Sequence, residues 1–187
     1  MDGRKRCAWC TSDPLYQAYH DDEWGRPIVG DDRRLYELLV LDMNQAGLSW
    51  ITILRKRENF RRAFDGFDVA IIADYGPDKV EALLQDKGII RNRAKIEAAI
   101  FAARDVLAIQ REYGSFSNYL WAFVQHQPII YHRQSLADVP EYTPEAQAMS
   151  AALRKRGWRF VGPTVCYAFM QSAGLVNDHT ADCWLAP

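Results

Sequence analysis

Several things are missing from this sequence, and each absence narrows what the protein can be. No apolar run reaches the roughly 20 residues that a membrane-spanning helix needs, so no membrane role is expected. The charged start Met1-Asp2-Gly3-Arg4-Lys5-Arg6 is not followed by an apolar stretch, which argues against a signal peptide and for a cytoplasmic protein. Cysteine is scarce, with 4 in 187 residues, so thiols or metal ligands are expected rather than a disulfide framework. Net charge is nearly absent as well. A formal value of -1 gives no global field toward nucleic acid, so any DNA binding must come from a local patch.

There is no internal repeat, no low-complexity tract and no linker rich in Gly, Ser or Pro. A single domain over residues 1–187 follows, long enough to bury a full core. No exposed periodic stripe demands a partner, so a monomer is expected. Alternating strand patterns are missing too, and helical periodicity takes their place. Ile96, Ala99, Ile100, Ala103 and Leu107 form one buried stripe that stops near Gly114. Thr143-Pro144-Glu145 opens another helix, with the hydroxyl as cap and proline at the first helical position. Further helices are predicted over Asp32 to Leu41, Ser49 to Phe64, Asp78 to Leu84, Phe116 to Val124 and Thr164 to Ala173. The stretch from Gln125 to Tyr142 reads as a long packed connection.

Four potential metal ligands sit at the two ends: Cys7 with His20, and His179 with Cys183 four residues further on. Together they would complete a Cys2His2 tetrahedron of the kind zinc prefers, and that would require the termini to meet. Residue types alone leave other arrangements open. Buried cysteines and histidines are common without a metal, and Cys7-x2-Cys10 is itself a ligand pair.

The aromatics Trp9, Tyr16, Tyr19 and Trp24 cluster beside these ligands, and Trp50 follows Gln45-Ala46-Gly47-Leu48-Ser49. Such residues are usually core, but together they could stack on an extruded base, more strongly if it were cationic. Asp42 is the acid placed to enter that pocket, although its ordinary role would be a solvated acid at a helix end. In Phe160-Val161-Gly162-Pro163-Thr164, a glycine turn before a helix can present backbone N–H groups to one DNA phosphate. A turn also uses glycine for conformation alone. Basic clusters at Arg55-Lys56-Arg57, Arg61-Arg62, Arg91 to Lys95 and Arg154-Lys155-Arg156 are either solvated helix faces or phosphate tracks.

Several strings resemble the 3-methyladenine DNA glycosylase I family. They are Asp13-Pro14-Leu15-Tyr16, Tyr19-His20-Asp21, Glu23-Trp24-Gly25, Gln45 to Trp50, Lys56-Arg57-Glu58-Asn59, Gly88-Ile89-Ile90-Arg91, Phe160-Val161-Gly162 and Gly174 to His179. The similarity runs from Cys7 to Cys183. It implies an all-α, helix-hairpin-helix DNA glycosylase fold, with one structural zinc ion on Cys7, His20, His179 and Cys183 joining the termini in one lobe. Cys10 has no ligand counterpart. The resemblance also implies a base pocket of Trp9, Tyr16, Tyr19, Trp24 and Trp50. DNA contacts are implied at Gln45, Leu48, Val161, Gly162 and Thr164, with Leu48 filling the gap left by the flipped nucleotide.

The activity implied is hydrolysis of the N-glycosidic bond of 3-methyladenine in alkylated double-stranded DNA. It would be monofunctional, because the hairpin carries no lysine for a lyase step. The chain departs from the family pattern at Asp42, where the family usually has glutamate. Aspartate is one methylene shorter, and a misplacement of about 1 Å can lower a rate on the order of 100-fold. The alternative is therefore a non-catalytic or altered-specificity binder of damaged DNA. Asp178 lies near the superfamily's usual catalytic acid but next to a metal ligand, which gives it a supporting place. A zinc hydrolase would need an open coordination position, and four protein ligands close it.

Overall fold

The structure is a computed structural model that describes residues 3–45 and 47–187. Met1, Asp2 and Ala46 lie outside the described residues, so the first two residues of the charged start and one residue of the Gln45 to Trp50 string receive no structural account. The helices are α1 (Pro14–Asp22), α2 (Asp32–Gln45), α3 (Trp50–Ala63), α4 (Val69–Ala73), α5 (Pro77–Gln85), α6 (Arg93–Tyr113), α7 (Phe116–Trp121), α8 (Pro144–Lys155) and α9 (Pro163–Ser172). Their caps follow from sequence. Asp13, Asn92, Ser115 and Thr143 each accept backbone N–H groups at the start of α1, α6, α7 and α8. Gly114, at φ 84°, ends α6 in a conformation that favours glycine.

Helix α2 is the axis of the molecule. Leu35, Tyr36, Leu38, Leu39, Val40, Leu41 and Met43 are all buried, so the helix is enclosed on every side rather than along one stripe. It packs against α3, α6, α7 and α9, and the Tyr36 hydroxyl donates to the Ala99 carbonyl at 2.8 Å. Such a helix carries whatever lies along it into the interior. It also runs four residues past the predicted end at Leu41, which places Asp42 inside the last turn rather than at a solvated terminus.

Two features differ from the sequence expectation. Helices α1 and α4 were not anticipated, because 9 and 5 residues are too short to establish a periodicity. The fold is also not purely helical. Ile129–Ile130 (β1) and Val176–Asn177 (β2) pair in parallel, and two-residue strands leave no alternating pattern to read. This pairing ties the 125–142 connection to the segment just before Asp178 and His179. No helix among the described residues is long and apolar enough to cross a membrane.

Candidate base pocket and metal centre

The pocket is built where the enclosed α2 meets α1, α3 and α9. A cavity of about 190 Å³ opens there, with Trp9, Tyr16, Tyr19, Trp24 and Trp50 in its walls. Their rings contact one another rather than lying separately in the core. Trp9 stands 5.1 Å from Tyr16 and 4.9 Å from Trp24, and Tyr19 stands 5.5 Å from Trp50, centroid to centroid. Trp50 sits at the first position of α3 and is buried, while Ser49 before it is exposed and its hydroxyl pairs with that of Thr52 at 2.8 Å. Its indole N–H is buried without an acceptor. Gln45 reaches the cavity from the end of α2.

Asp42 lines the same cavity and is only 3% exposed. Its carboxylate accepts one hydrogen bond, from the Ser172 hydroxyl at 3.1 Å. Burial pushes its pKa well above the ordinary carboxylate value, and the Ser172 bond only partly offsets this. Among the described residues no cation pairs with Asp42, whose hydrogen-bond partner is the neutral Ser172 hydroxyl. Tyr19 is raised for the same reason, first by burial and then by the nearby Asp42 charge.

A second carboxylate, Asp178, also faces the cavity, and its surroundings are the opposite. It accepts from the Tyr167 hydroxyl at 2.5 Å, from Gln171 Nε2 at 2.8 Å and from Arg133 Nε at 3.1 Å. Leu136 and Val139, from the connection after β1, complete the rim. None of these rim and floor residues was picked out as pocket-lining from sequence. Ser172 lies 130 residues from Asp42, and no local pattern links them.

The termini meet behind the aromatic wall. The ligand atoms of Cys7, His20, His179 and Cys183 all lie within 4.8 Å of one another, and all four residues are buried. Cys7 Sγ is 3.5 Å from His179 Nδ1, and Cys183 Sγ is 3.5 Å from both His179 Nδ1 and His20 Nε2. Zinc bonds of about 2.3 Å to sulfur and about 2.0 Å to nitrogen at tetrahedral angles give an S to N edge of about 3.5 Å, so the donors fit. The outer ring nitrogens have partners as well: His20 Nδ1 faces Asp21 at 2.8 Å and His179 Nε2 faces the Trp24 carbonyl at 3.3 Å.

Burial and the neighbouring Cys183 push the Cys7 thiol up to about 12, and burial pulls His179 down to about 4. A cation is what would bring such thiols to the thiolate form. Cys10 lies apart, its thiol 3.7 Å from the Thr11 carbonyl, which removes the alternative of a third thiolate ligand. Trp24 packs edge-on against His179 with centroids 4.7 Å apart, so the cluster directly supports the pocket wall.

Two further groups of residues carry the expected DNA contacts. Leu48 stands 39% exposed on a tight turn, where Gly47 takes φ 80°. In the second group, α8 and α9 are joined through Phe160-Val161-Gly162. Here Val161 as a whole is 1% exposed, and its carbonyl accepts from Ser150 Oγ at 2.6 Å. Val161, backbone included, is therefore closed to a ligand, and the open part of the expected contact is Gly162 to Thr164. Thr164 is exposed and donates to Glu141 at 3.1 Å.

Gly162 is not required by conformation. Its φ of -63° and ψ of 165° suit any residue before proline, and a Cβ built on it meets nothing within 4 Å. The left-handed residue in this turn is Phe160, at φ 59°.

The basic clusters divide by their partners. Arg57 and Arg61 bind Glu37, with Arg57 also on Glu23, and Arg156 binds Asp105 and Glu112. These three guanidiniums hold helices together and are not open phosphate ligands.

Residues 9–186 match the family described as methyladenine glycosylase. The chain is 48% identical over 183 residues to DNA-3-methyladenine glycosylase 1 of Escherichia coli K12, covering 98% of this chain and 97% of that protein. A crystal structure of 3-methyladenine DNA glycosylase I superposes with a TM-score of 0.95 at 51% identity, covering 98% of this chain and 100% of the other. A Staphylococcus aureus 3-methyladenine DNA glycosylase I, solved to explain 3-methyladenine recognition, superposes with a TM-score of 0.93 at 36% identity over 97% of this chain and 96% of that one.

Proposed function

This chain belongs to the methyladenine glycosylase family, and on that premise we propose that it excises 3-methyladenine from alkylated double-stranded DNA by hydrolysis, leaving the strand intact. The observation that carries the reading is the buried, cation-free Asp42 inside a ring of five aromatics. Methylation at N3 gives adenine a positive charge, and that charge is what the pocket lacks. Aromatic faces attract it by about 0.5–2 kcal/mol each when desolvated. An entering cation also favours the ionised form of Asp42, which then accepts a hydrogen bond from the exocyclic amine. A neutral adenine gains neither effect.

The chemistry asks little of the protein beyond this. As the bond between N9 and the anomeric carbon breaks, its electron pair neutralises the base, which leaves as free 3-methyladenine. Water adds to the oxocarbenium-like sugar and gives its proton to solvent. Leu48, exposed on its tight turn, fills the space that the base vacated. The backbone from Gly162 to Thr164 takes a phosphate at the uncapped start of α9. One zinc ion on Cys7, His20, His179 and Cys183 is structural in this reading, because four protein ligands close its coordination shell. We read the protein as a monomeric cytoplasmic enzyme in which residues 1–187 act as one domain.

Incubation with methylated duplex DNA tests the reading. Free base with no strand break before alkali is expected; a strand nicked without alkali, or no base released, would sink it. The hairpin gives a separate check. Gly162→Ala is expected to leave thermal stability unchanged or slightly higher, since a less flexible residue fits these dihedrals. Its methyl group would point at an incoming phosphate and weaken DNA affinity by roughly 10-fold. Unchanged affinity in a binding titration would remove the hairpin from the interface.

A further inference from the structure

Lys95 is the third residue of α6, and it is 7% exposed. Its ammonium donates to the backbone carbonyl of Asn44 at 3.1 Å, next to the last residue of α2. The same ammonium lies 6.0 Å from the centroid of the Phe160 ring. One cation thus stands between the loop that carries Leu48 and the hairpin that carries Gly162. Phe160 is 37% exposed, so the ring beside the ammonium is open to solvent.

An ammonium has three donors and a full charge. One donor is used here, and among the described residues no carboxylate pairs with the charge. The contrast with Arg57, Arg133 and Arg156 is clear, since each of these reaches an acid. The negative end of α2 offsets part of the charge, but the positive start of α6 opposes it. Burial accordingly pulls the Lys95 pKa below the ordinary lysine value. A covered cation without an anion is unfavourable unless something arrives to pair with it.

We propose that Lys95 is the binding site for one backbone phosphate of the DNA, gripped between the Leu48 loop and the Gly162 hairpin. This rests on the glycosylase reading above. The phosphate supplies the missing anion, and it does so only when the strand lies across both elements. Lys95 then also holds the end of α2, and with it Gln45, at the position set by the DNA.

Salt dependence separates a phosphate ligand from a simple helix anchor. Affinity for a duplex carrying an abasic-site analogue is measured from about 50 to 200 mM NaCl for the parent, Lys95→Gln and Lys95→Arg. Gln keeps a donor for Asn44 without the charge, and Arg keeps the charge. The slope of log K against log salt is expected to fall in magnitude by about 0.9 in Lys95→Gln and to stay at the parent value in Lys95→Arg. Binding of free 3-methyladenine, followed by tryptophan fluorescence, is expected to match the parent in both variants. An unchanged slope in Lys95→Gln overturns the proposal, as does loss of free-base binding with the slope intact. A parent that neither binds the duplex nor releases base overturns the glycosylase reading too, so the two failures are distinguishable.

Discussion

Asp42→Asn is expected to slow excision of 3-methyladenine about 10- to 100-fold while making the folded protein more resistant to heat at neutral pH. The two effects share one cause. A hydrogen bond to a charged group contributes roughly 1.5–3 kcal/mol, and every 1.4 kcal/mol is tenfold in rate. Asparagine keeps the shape but removes the charge that answers the cationic base. The stability change follows from linkage. Burial raises the folded-state pKa of Asp42 above its unfolded value near 3.8. The stability this group contributes is complete below the unfolded value and is lost as pH rises through the folded one. Asparagine does not titrate, so its advantage over the parent in melting temperature should grow from about pH 4 upward. Activity should move the other way in the parent, rising with pH as Asp42 ionises. Single-turnover rates and melting curves across pH check both. An Asn variant that is as fast as the parent, and no more stable at any pH, would contradict this account of Asp42.

Loss of an ion from the Cys7, His20, His179 and Cys183 cluster is the second large expected effect. Chelation, or replacement of Cys183 by Ser, is expected to lower the melting temperature by about 10 °C or more and to abolish excision. Four buried donors without an ion no longer fix the chain ends, and the buried Cys7 thiol is left with its pKa raised. A loss of about 4 kcal/mol at roughly 2–4 °C per kcal/mol for a chain of this size gives that figure. Excision should fail because Trp24 packs on His179 and Trp9 packs on Trp24, so loosening the cluster moves the pocket wall. Cys10→Ser is the control and should change neither quantity. Metal analysis of the purified protein should find one zinc per chain, and full activity with no bound metal would remove the zinc from the account.

The metal donors and the aromatic wall were legible in the sequence because their residue types are rare and chemically specific. Cys7, His20, His179 and Cys183 meet as expected, and all five aromatics line one cavity. What surrounds Asp42 was not legible. Its burial comes from α2 being enclosed on all sides, and its single partner, Ser172, is brought by α9; both depend on packing across the chain. Gly162 shows a different limit. Sequence could not tell a glycine needed for the turn from one needed for clearance, and the dihedrals answer that by placing the left-handed residue at Phe160. Helix α1 is too short for a periodicity, and its sequence signal is confined to the Asp13 cap and Pro14 at its first position. Lys95 was hidden for an opposite reason, since a lysine in a basic run looks like any solvated one until its neighbours lack an acid.

The central claim is that Asp42 reads the amine edge of a cationic base inside the aromatic ring. The sharpest test releases bases from one methylated DNA sample and resolves 3-methyladenine from 7-methylguanine. Both are cationic in DNA, so the aromatic attraction alone would accept either. Guanine, however, carries a carbonyl oxygen where adenine has its amine, and that oxygen would face the Asp42 carboxylate with no proton between them. The account expects 3-methyladenine to be released and 7-methylguanine to stay in the strand. Release of both at similar rates would contradict it, leaving a pocket that selects charge and a carboxylate that does not choose.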